Sequence, residues 1–140
     1  MSIRTLTKET IKKKGLSIKF PMRKGVDGAF QVNETTIDVV KDGLKLLLLT
    51  NYGERLIHVD FGANLRPLIF ENMSEDLNVQ IETAILTAVE RWMPFVLIKE
   101  VQIKDYTQDL SIGDNELRIK IFFSISNTGL EDFLVVRLKA

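Results

Sequence analysis

The chain has 140 residues, enough for one domain with one core, and its 45% apolar share argues against disorder throughout. It has no cysteine, which excludes disulfides and thiolate metal sites. The formal net charge is zero but unevenly spread: residues 1–24 hold eight Lys/Arg against one acid, Glu9, leaving an acidic remainder.

Residues 1–14 read as a basic arm ahead of a single domain over 15–140. A basic tail can bind nucleic acid or an acidic protein. No aromatic residue is interleaved with Lys12, Lys13 and Lys14 to stack on bases, so a solvated arm is preferred and nucleic acid is not the expected partner. The arm lacks the apolar core of a secretory signal, and the longest apolar run, Leu46 to Leu49, is far too short for a bilayer. A protein made and used in the cytoplasm, with no membrane partner, is expected. Gly15 to Phe20 alternates apolar and polar before Pro21 and predicts a short extended segment. Lys24 to Gly28 is turn-like, and Ala29 to Val32 is a second extended piece.

A first helix follows. Thr35 or Thr36 can cap it, Asp38 suits its first turn, and Ile37, Val40, Leu44, Leu47 and Leu48 recur at helical spacing. Gly43 inside it costs about 1 kcal/mol relative to Ala, which a close-packed neighbour would explain. Gly53 stands where a helix C-cap is expected, and Gly62 reads as a turn. A second helix starts after Ser74, with Glu75 and Asp76 in its first turn. Its stripe is Leu77, Ile81, Ala84, Ile85, Ala88 and Trp92, and Pro94 ends it.

Beyond Pro94 the period changes to two. Phe95, Leu97, Val101 and Ile103 are expected on one face of a strand, with Glu100, Gln102 and Lys104 on the other. Leu117, Ile119, Ile121, Phe123 and Ile125 alternate with Glu116, Arg118 and Lys120. After Asn127-Thr128-Gly129 a third strand carries Leu134, Val136 and Leu138. The fold class is α+β: two main helices packed on one face of a small C-terminal antiparallel meander.

Catalysis finds little support. Glu54, Asp60 and Glu71, with His58 nearby, offer carboxylates, but none sits in a catalytic motif. There is no Gly-rich phosphate loop and no HExxH, and a lone His cannot form a histidine metal cluster. No catalytic residue, metal or cofactor is expected.

The chain resembles the phage tail baseplate wedge family that initiates the contractile sheath, a family also called lysozyme-like, with relatives in type VI secretion and other contractile injection systems. The resemblance rests on Gly15-Leu16-Ser17-Ile18-Lys19-Phe20-Pro21 and on Thr50-Asn51-Tyr52-Gly53-Glu54-Arg55. It rests further on Asp60-Phe61-Gly62 followed by Leu65 and Leu68-Ile69-Phe70-Glu71, and on the helix ending Glu90-Arg91-Trp92. These pieces span almost all of the chain after the first dozen residues, and their order and spacing are more specific than any one of them.

The resemblance implies a structural protein of the virion tail baseplate, assembled in the host bacterial cytoplasm. Its implied partners are the helical core bundle of the wedge, the tail sheath protein, and the tail tube or hub. Gly53, Glu54, Arg55, Phe61 and Gly62 become candidate partner-binding residues, Arg55 first because its planar fork can hold a carboxylate with two hydrogen bonds. Family members usually carry Trp-Glu-Pro-Arg where this chain has Trp92-Met93-Pro94-Phe95, and that motif docks on the core bundle. Here the corner either docks through apolar side chains or gives Met93 and Phe95 to the protein's own core; both readings stay open. The family also implies strand exchange with the sheath. The candidate edge is Phe133, Leu134, Val135, Val136, Arg137 and Leu138, apolar on both sides and free of Pro. The alternative is a central strand with the Leu16 to Phe20 segment beside it. As a whole, the alternatives to a sheath initiator are a cell-wall-degrading lysozyme-type enzyme of the tail, or the equivalent component of a type VI secretion or other injection system.

Overall fold

The structure is a computed structural model that describes residues 15–25, 29–71, 75–104 and 116–139. The basic arm over residues 1–14 and Ser74, the expected cap of the second long helix, lie outside them. Contacts divide the chain into two compact units, residues 1–39 and 40–140.

In the first unit β1 (Ser17–Ile18) pairs antiparallel with β2 (Val32–Asn33), Ser17 opposite Asn33. The ladder is extended by Leu16 N–H to the Asn33 carbonyl at 2.7 Å and Lys19 N–H to that of Gln31 at 2.9 Å. Asn33 is buried, and its side-chain amide donates to Ser17 Oγ at 3.1 Å, so the polar group is satisfied. Gly15 is needed for close approach, since a Cβ there would lie 2.8 Å from Val32 Cβ.

Helix α1 (Thr36–Leu49) is capped by Thr35, the first of the two candidate threonines: its Oγ1 accepts from the Asp38 N–H at 3.3 Å and donates to the Asp38 carboxylate. Val40, Leu44, Leu47 and Leu48 are buried along one face. Gly43 has the close neighbour its cost requires, for a Cβ there would stand 3.3 Å from the methyl of Met93. The expected C-cap at Gly53 is corrected. The helix stops at Leu49, and Thr50 closes it by giving both its N–H (3.1 Å) and its hydroxyl (2.6 Å) to the Leu46 carbonyl. Gly53, at φ 84°, lies further on, inside a loop.

A short helix α2 (Arg66–Ile69), with Pro67 in its first turn, was not anticipated. Ala63 and Leu65, just ahead of it, are buried. Helix α3 (Glu75–Trp92) buries Leu77, Ile81, Ile85 and Ala88 as the stripe predicts, and Val89 as well. It ends just ahead of Pro94, the Met93 N–H reaching the Val89 carbonyl at 2.7 Å.

β3 (Val96–Lys104), β4 (Glu116–Ile125) and β5 (Glu131–Lys139) form an antiparallel meander with β4 central. The α+β architecture is therefore as expected. Leu117, Ile119, Ile121, Phe123 and Ile125 of β4 are all buried, so its alternation is fixed by one apolar face. Strand β3 needs a correction. Val96 is buried while Phe95 and Leu97 are exposed, the reverse of the expected phase. The cause is a bulge: Ile98 pairs with Phe123 and Glu100 with Phe122, leaving Lys99 without an opposite residue, so the phase flips there. The β4–β5 ladder has no such shift and runs from Glu116 opposite Lys139 to Ser124 opposite Glu131. Gly129, at φ 64°, closes the connection through its N–H to the Ile125 carbonyl at 2.8 Å.

Candidate docking corner and sheet edge

The loop from Asn51 to Phe61 is fastened at its neck. The Gly53 N–H donates to the Val59 carbonyl at 2.6 Å, and the Phe61 N–H to that of His58 at 3.0 Å. Gly62, at φ 125°, lets the returning chain press against the end of α1: a Cβ would collide with the Thr50 carbonyl oxygen and lie 2.8 Å from its carbon. The next residue locks on, Ala63 N–H to the Leu47 carbonyl at 3.1 Å.

This return brings the loop onto the last turn of α3. Phe61 and His58 both meet Trp92 edge-on, with ring centroids 5.1 and 5.5 Å apart. The Arg55 guanidinium lies over Phe61, 3.8 Å from its centroid, and Arg91 lies 5.2 Å from the Trp92 ring while pairing with Asp60. Glu54 and Arg55 thus do not pair with each other. Glu54 accepts from the Asn51 amide at 2.7 Å, and hydrogen bonds from Asn51 pull its carboxyl below the usual range, with Arg66 adding to the effect. Met93 is half-buried across Gly43 and belongs to the chain's own packing, while Pro94 and Phe95 are exposed. The Phe95 carbonyl accepts from the Ser126 N–H at 3.0 Å, tying this corner to the β4–β5 connection.

The sequence reading missed the tip of the loop. Leu56 is 99% exposed and Ile57 is 89% exposed, flanked by exposed Tyr52 and Val59. An apolar tip held by a fastened neck is a candidate interaction site. The available signal was two large aliphatic residues, between Arg55 and His58, that fit neither a helical nor a strand period.

The second candidate, Phe133 to Leu138, lies on β5, the outer strand beside β4. Within the Leu16 to Phe20 segment, Ser17 and Ile18 pair with Asn33 and Val32. Val136 and Leu138 are buried, while Phe133 and Val135 are 47% and 39% exposed on the opposite face. Helix α1 meets this strand through Lys41 and Asp132, 2.5 Å apart, and the Lys41 hydrogen bond holds the Asp132 carboxyl below its usual range. Among the described residues no helix is long and apolar enough to cross a membrane.

The described residues thus combine a fastened apolar loop, an aromatic corner and a strand, β5, with no described strand on its far side. The chain belongs to the family of baseplate wedge protein gp25, whose model matches residues 34–129. It is a structural component of a tail baseplate and associates with other baseplate proteins. A chain in the baseplate of the anti-feeding prophage, determined by cryo-electron microscopy with sixfold symmetry, is 28% identical with a TM-score of 0.65, over 79% of this chain and 84% of that one. Two others share the fold. One is a crystal structure from Geobacter sulfurreducens named as a candidate tail lysozyme (20% identity, TM-score 0.67, 78% of this chain and 95% of that one). The other is a chain of the postcontracted pyocin R2 baseplate (16% identity, TM-score 0.50, 85% and 98%). No curated protein matches the chain.

Proposed function

We propose that this protein joins a baseplate wedge through the corner formed by its loop and the end of α3, and offers β5 as the first template for the contractile sheath. The observation that carries the reading is the β5 edge. Its ladder to β4 is continuous, it contains no Pro, and it has no described strand on its far side. An edge strand presents a row of N–H and C=O groups that an incoming arm satisfies. The core bundle of the wedge takes the corner, through Trp92, Phe95, Arg55 and the Leu56–Ile57 tip. The sheath protein takes β5, and the tail tube or hub lies nearby. Assembly takes place in the host cytoplasm.

The protein acts without catalysis. A glycosidase needs one carboxyl kept protonated by its surroundings. Glu54 is pulled the opposite way, and Asp60 is engaged by Arg91. Clearing of purified cell wall that disappears on Glu54→Gln or Glu71→Gln would reinstate the enzyme reading.

The strand reading is tested by Val135→Pro. Baseplates carrying this variant, folded by circular dichroism, are expected to assemble wedges but not to polymerise sheath. Normal sheath growth from them would show that β5 is not the template.

A further inference from the structure

The turn that joins β4 to β5 fixes which backbone groups of β5 face outward. The Ile125 N–H donates to the Leu130 carbonyl at 2.9 Å, which makes these two a hydrogen-bonded pair of the antiparallel ladder. The register runs on from there without a shift, so bonded and non-bonded pairs alternate along it. Asp132, Leu134, Val136 and Leu138 therefore turn their N–H and C=O groups to β4. Glu131, Phe133, Val135, Arg137 and Lys139 turn theirs away from it, to the edge. The Ser126 N–H, next to that of Ile125, goes to the Phe95 carbonyl on the β3 side at 3.0 Å, as this alternation requires.

The outward N–H groups are not alike. That of Phe133 is already engaged by the residue before it, donating to Asp132 Oδ1 at 2.7 Å. An aspartate side chain that bonds to nearby backbone competes with a sheet ladder. Here it is also latched. Lys41 of α1 reaches the other oxygen, Oδ2, at 2.5 Å, so one carboxylate joins a helix to a strand edge. Both contacts favour the ionised carboxylate, Lys41 more than Phe133, and hydrogen bonds to a charged acceptor are the stronger kind. On the opposite face the Phe133 ring lies 6.0 Å from that of Phe122, with the Lys120 ammonium 4.4 Å from its centroid. The start of β5 is thus held from both faces of the sheet. It lies at the end remote from the β3–β4 connection, which is outside the described residues.

A plain edge does not specify register by itself. Side chains alternate with a period of two, so a strand that slips by two residues keeps the same faces. A stop at one end removes that freedom.

We propose that Asp132, latched by Lys41, is a register stop: the extended segment received by β5 pairs its backbone from Val135 onward and is not admitted at Phe133. This rests on β5 being the receiving edge, and adds where on that edge the incoming segment begins. To pair at Phe133 the segment would have to bring a carbonyl oxygen to an N–H that a carboxylate already holds. Two acceptors cannot bond to each other, so the segment meets repulsion there instead of a hydrogen bond. The stretch left for pairing is Val135 to Lys139, which suits a contact of about five residues.

The test follows amide deuterium exchange of the full chain in assembled baseplates, resolved by residue and corrected for intrinsic rates, before and after tail sheath subunits are added. Before addition, the Phe133 amide is expected to exchange at least about tenfold more slowly than that of Val135, and Asp132→Ala should abolish the difference. Sheath subunits should slow Val135 and Arg137 by at least about tenfold and leave Phe133 as it was. In Asp132→Ala baseplates they should slow Phe133 as well. Lys41→Ala keeps the carboxylate but unlatches it, and should give the same changes in smaller measure; it carries the test if Asp132→Ala does not fold.

Slowing of Phe133 in unaltered baseplates to match Val135 would keep the receiving edge and overturn the stop. Exchange of Phe133 as fast as Val135 before sheath is added would also overturn the stop alone. So would a Phe133 amide that stays fast in both variants after sheath addition, because the boundary would then be set elsewhere. Sheath growth with no slowing at Val135 or Arg137 would overturn the receiving edge itself, and the stop with it.

Discussion

Replacing Leu56 and Ile57 together by Ser separates a docking tip from a piece of the protein's own packing. Both side chains are almost fully exposed, so the free protein should lose no more than about 0.5 kcal/mol, the usual range for surface substitutions. The neck hydrogen bond from Gly53 to Val59 is a backbone contact and is untouched. In the assembled wedge the outcome should differ. Fully burying a large aliphatic side chain is worth about 1.5–3 kcal/mol, so the pair represents about 3–6 kcal/mol of burial. Binding converts such burial incompletely, because ordering and desolvation oppose it. A loss at the lower end, on the order of a hundredfold in affinity, is therefore expected. Titration of immobilised wedge complex with wild-type and doubly substituted protein measures it, alongside urea unfolding of each. Affinities within about threefold at equal stability would refute the docking role of the tip. A drop of more than about 1 kcal/mol in unfolding free energy would instead show that the tip packs on its own chain.

Three further outcomes follow from the geometry. Gly62→Ala combines a positive φ of 125° with a clash against the Thr50 carbonyl and should cost about 2–5 kcal/mol in urea unfolding; a cost below about 1 kcal/mol would mean the turn relaxes freely. Gly43→Ala should be neutral or stabilising by up to about 1 kcal/mol, since helix propensity improves and the only close atoms are the flexible end of Met93; a loss of stability would show that Met93 cannot yield. The Asp132 carboxyl is lowered chiefly by its hydrogen bond from Lys41, so this interaction is present above about pH 4 and is lost as pH falls through the depressed folded value. Carboxyl NMR titration of Lys41→Ala should find Asp132 back near its ordinary value, with about 0–1 kcal/mol of stability lost near neutrality; an unchanged titration would remove Lys41 as the cause.

Strand β4 was legible because five inward apolar residues alternate with Arg118, Lys120, Phe122 and Ser124, mostly polar, and only one phase buries the five. The start of β3 was not. Phe95-Val96-Leu97-Ile98 is apolar throughout, either phase fits it, and the bulge that decides between them leaves no local mark. Helix α2 is a single turn, too short to show a period, and Gly53 resembled a C-cap because a glycine soon after a helix serves a loop equally well. The corner was found through the family resemblance, which pointed to Arg55, Phe61 and Trp92 without revealing that they stack in sequence. The exposure of Leu56 and Ile57 is a tertiary fact: hydrophobicity says what a side chain would prefer, not whether its own chain provides it.

The bulge at Lys99 also bears on direction. A meander of three strands has two outer edges, and a template able to accept strands at both would start two growing fronts. The bulge breaks the regular pairing of β3 and increases its local twist, which spoils that edge for a long straight partner, while β5 stays regular from end to end. One extra residue thus makes the two outer edges unequal, and under the template role proposed above it is the β3 edge that is withheld from a long straight partner.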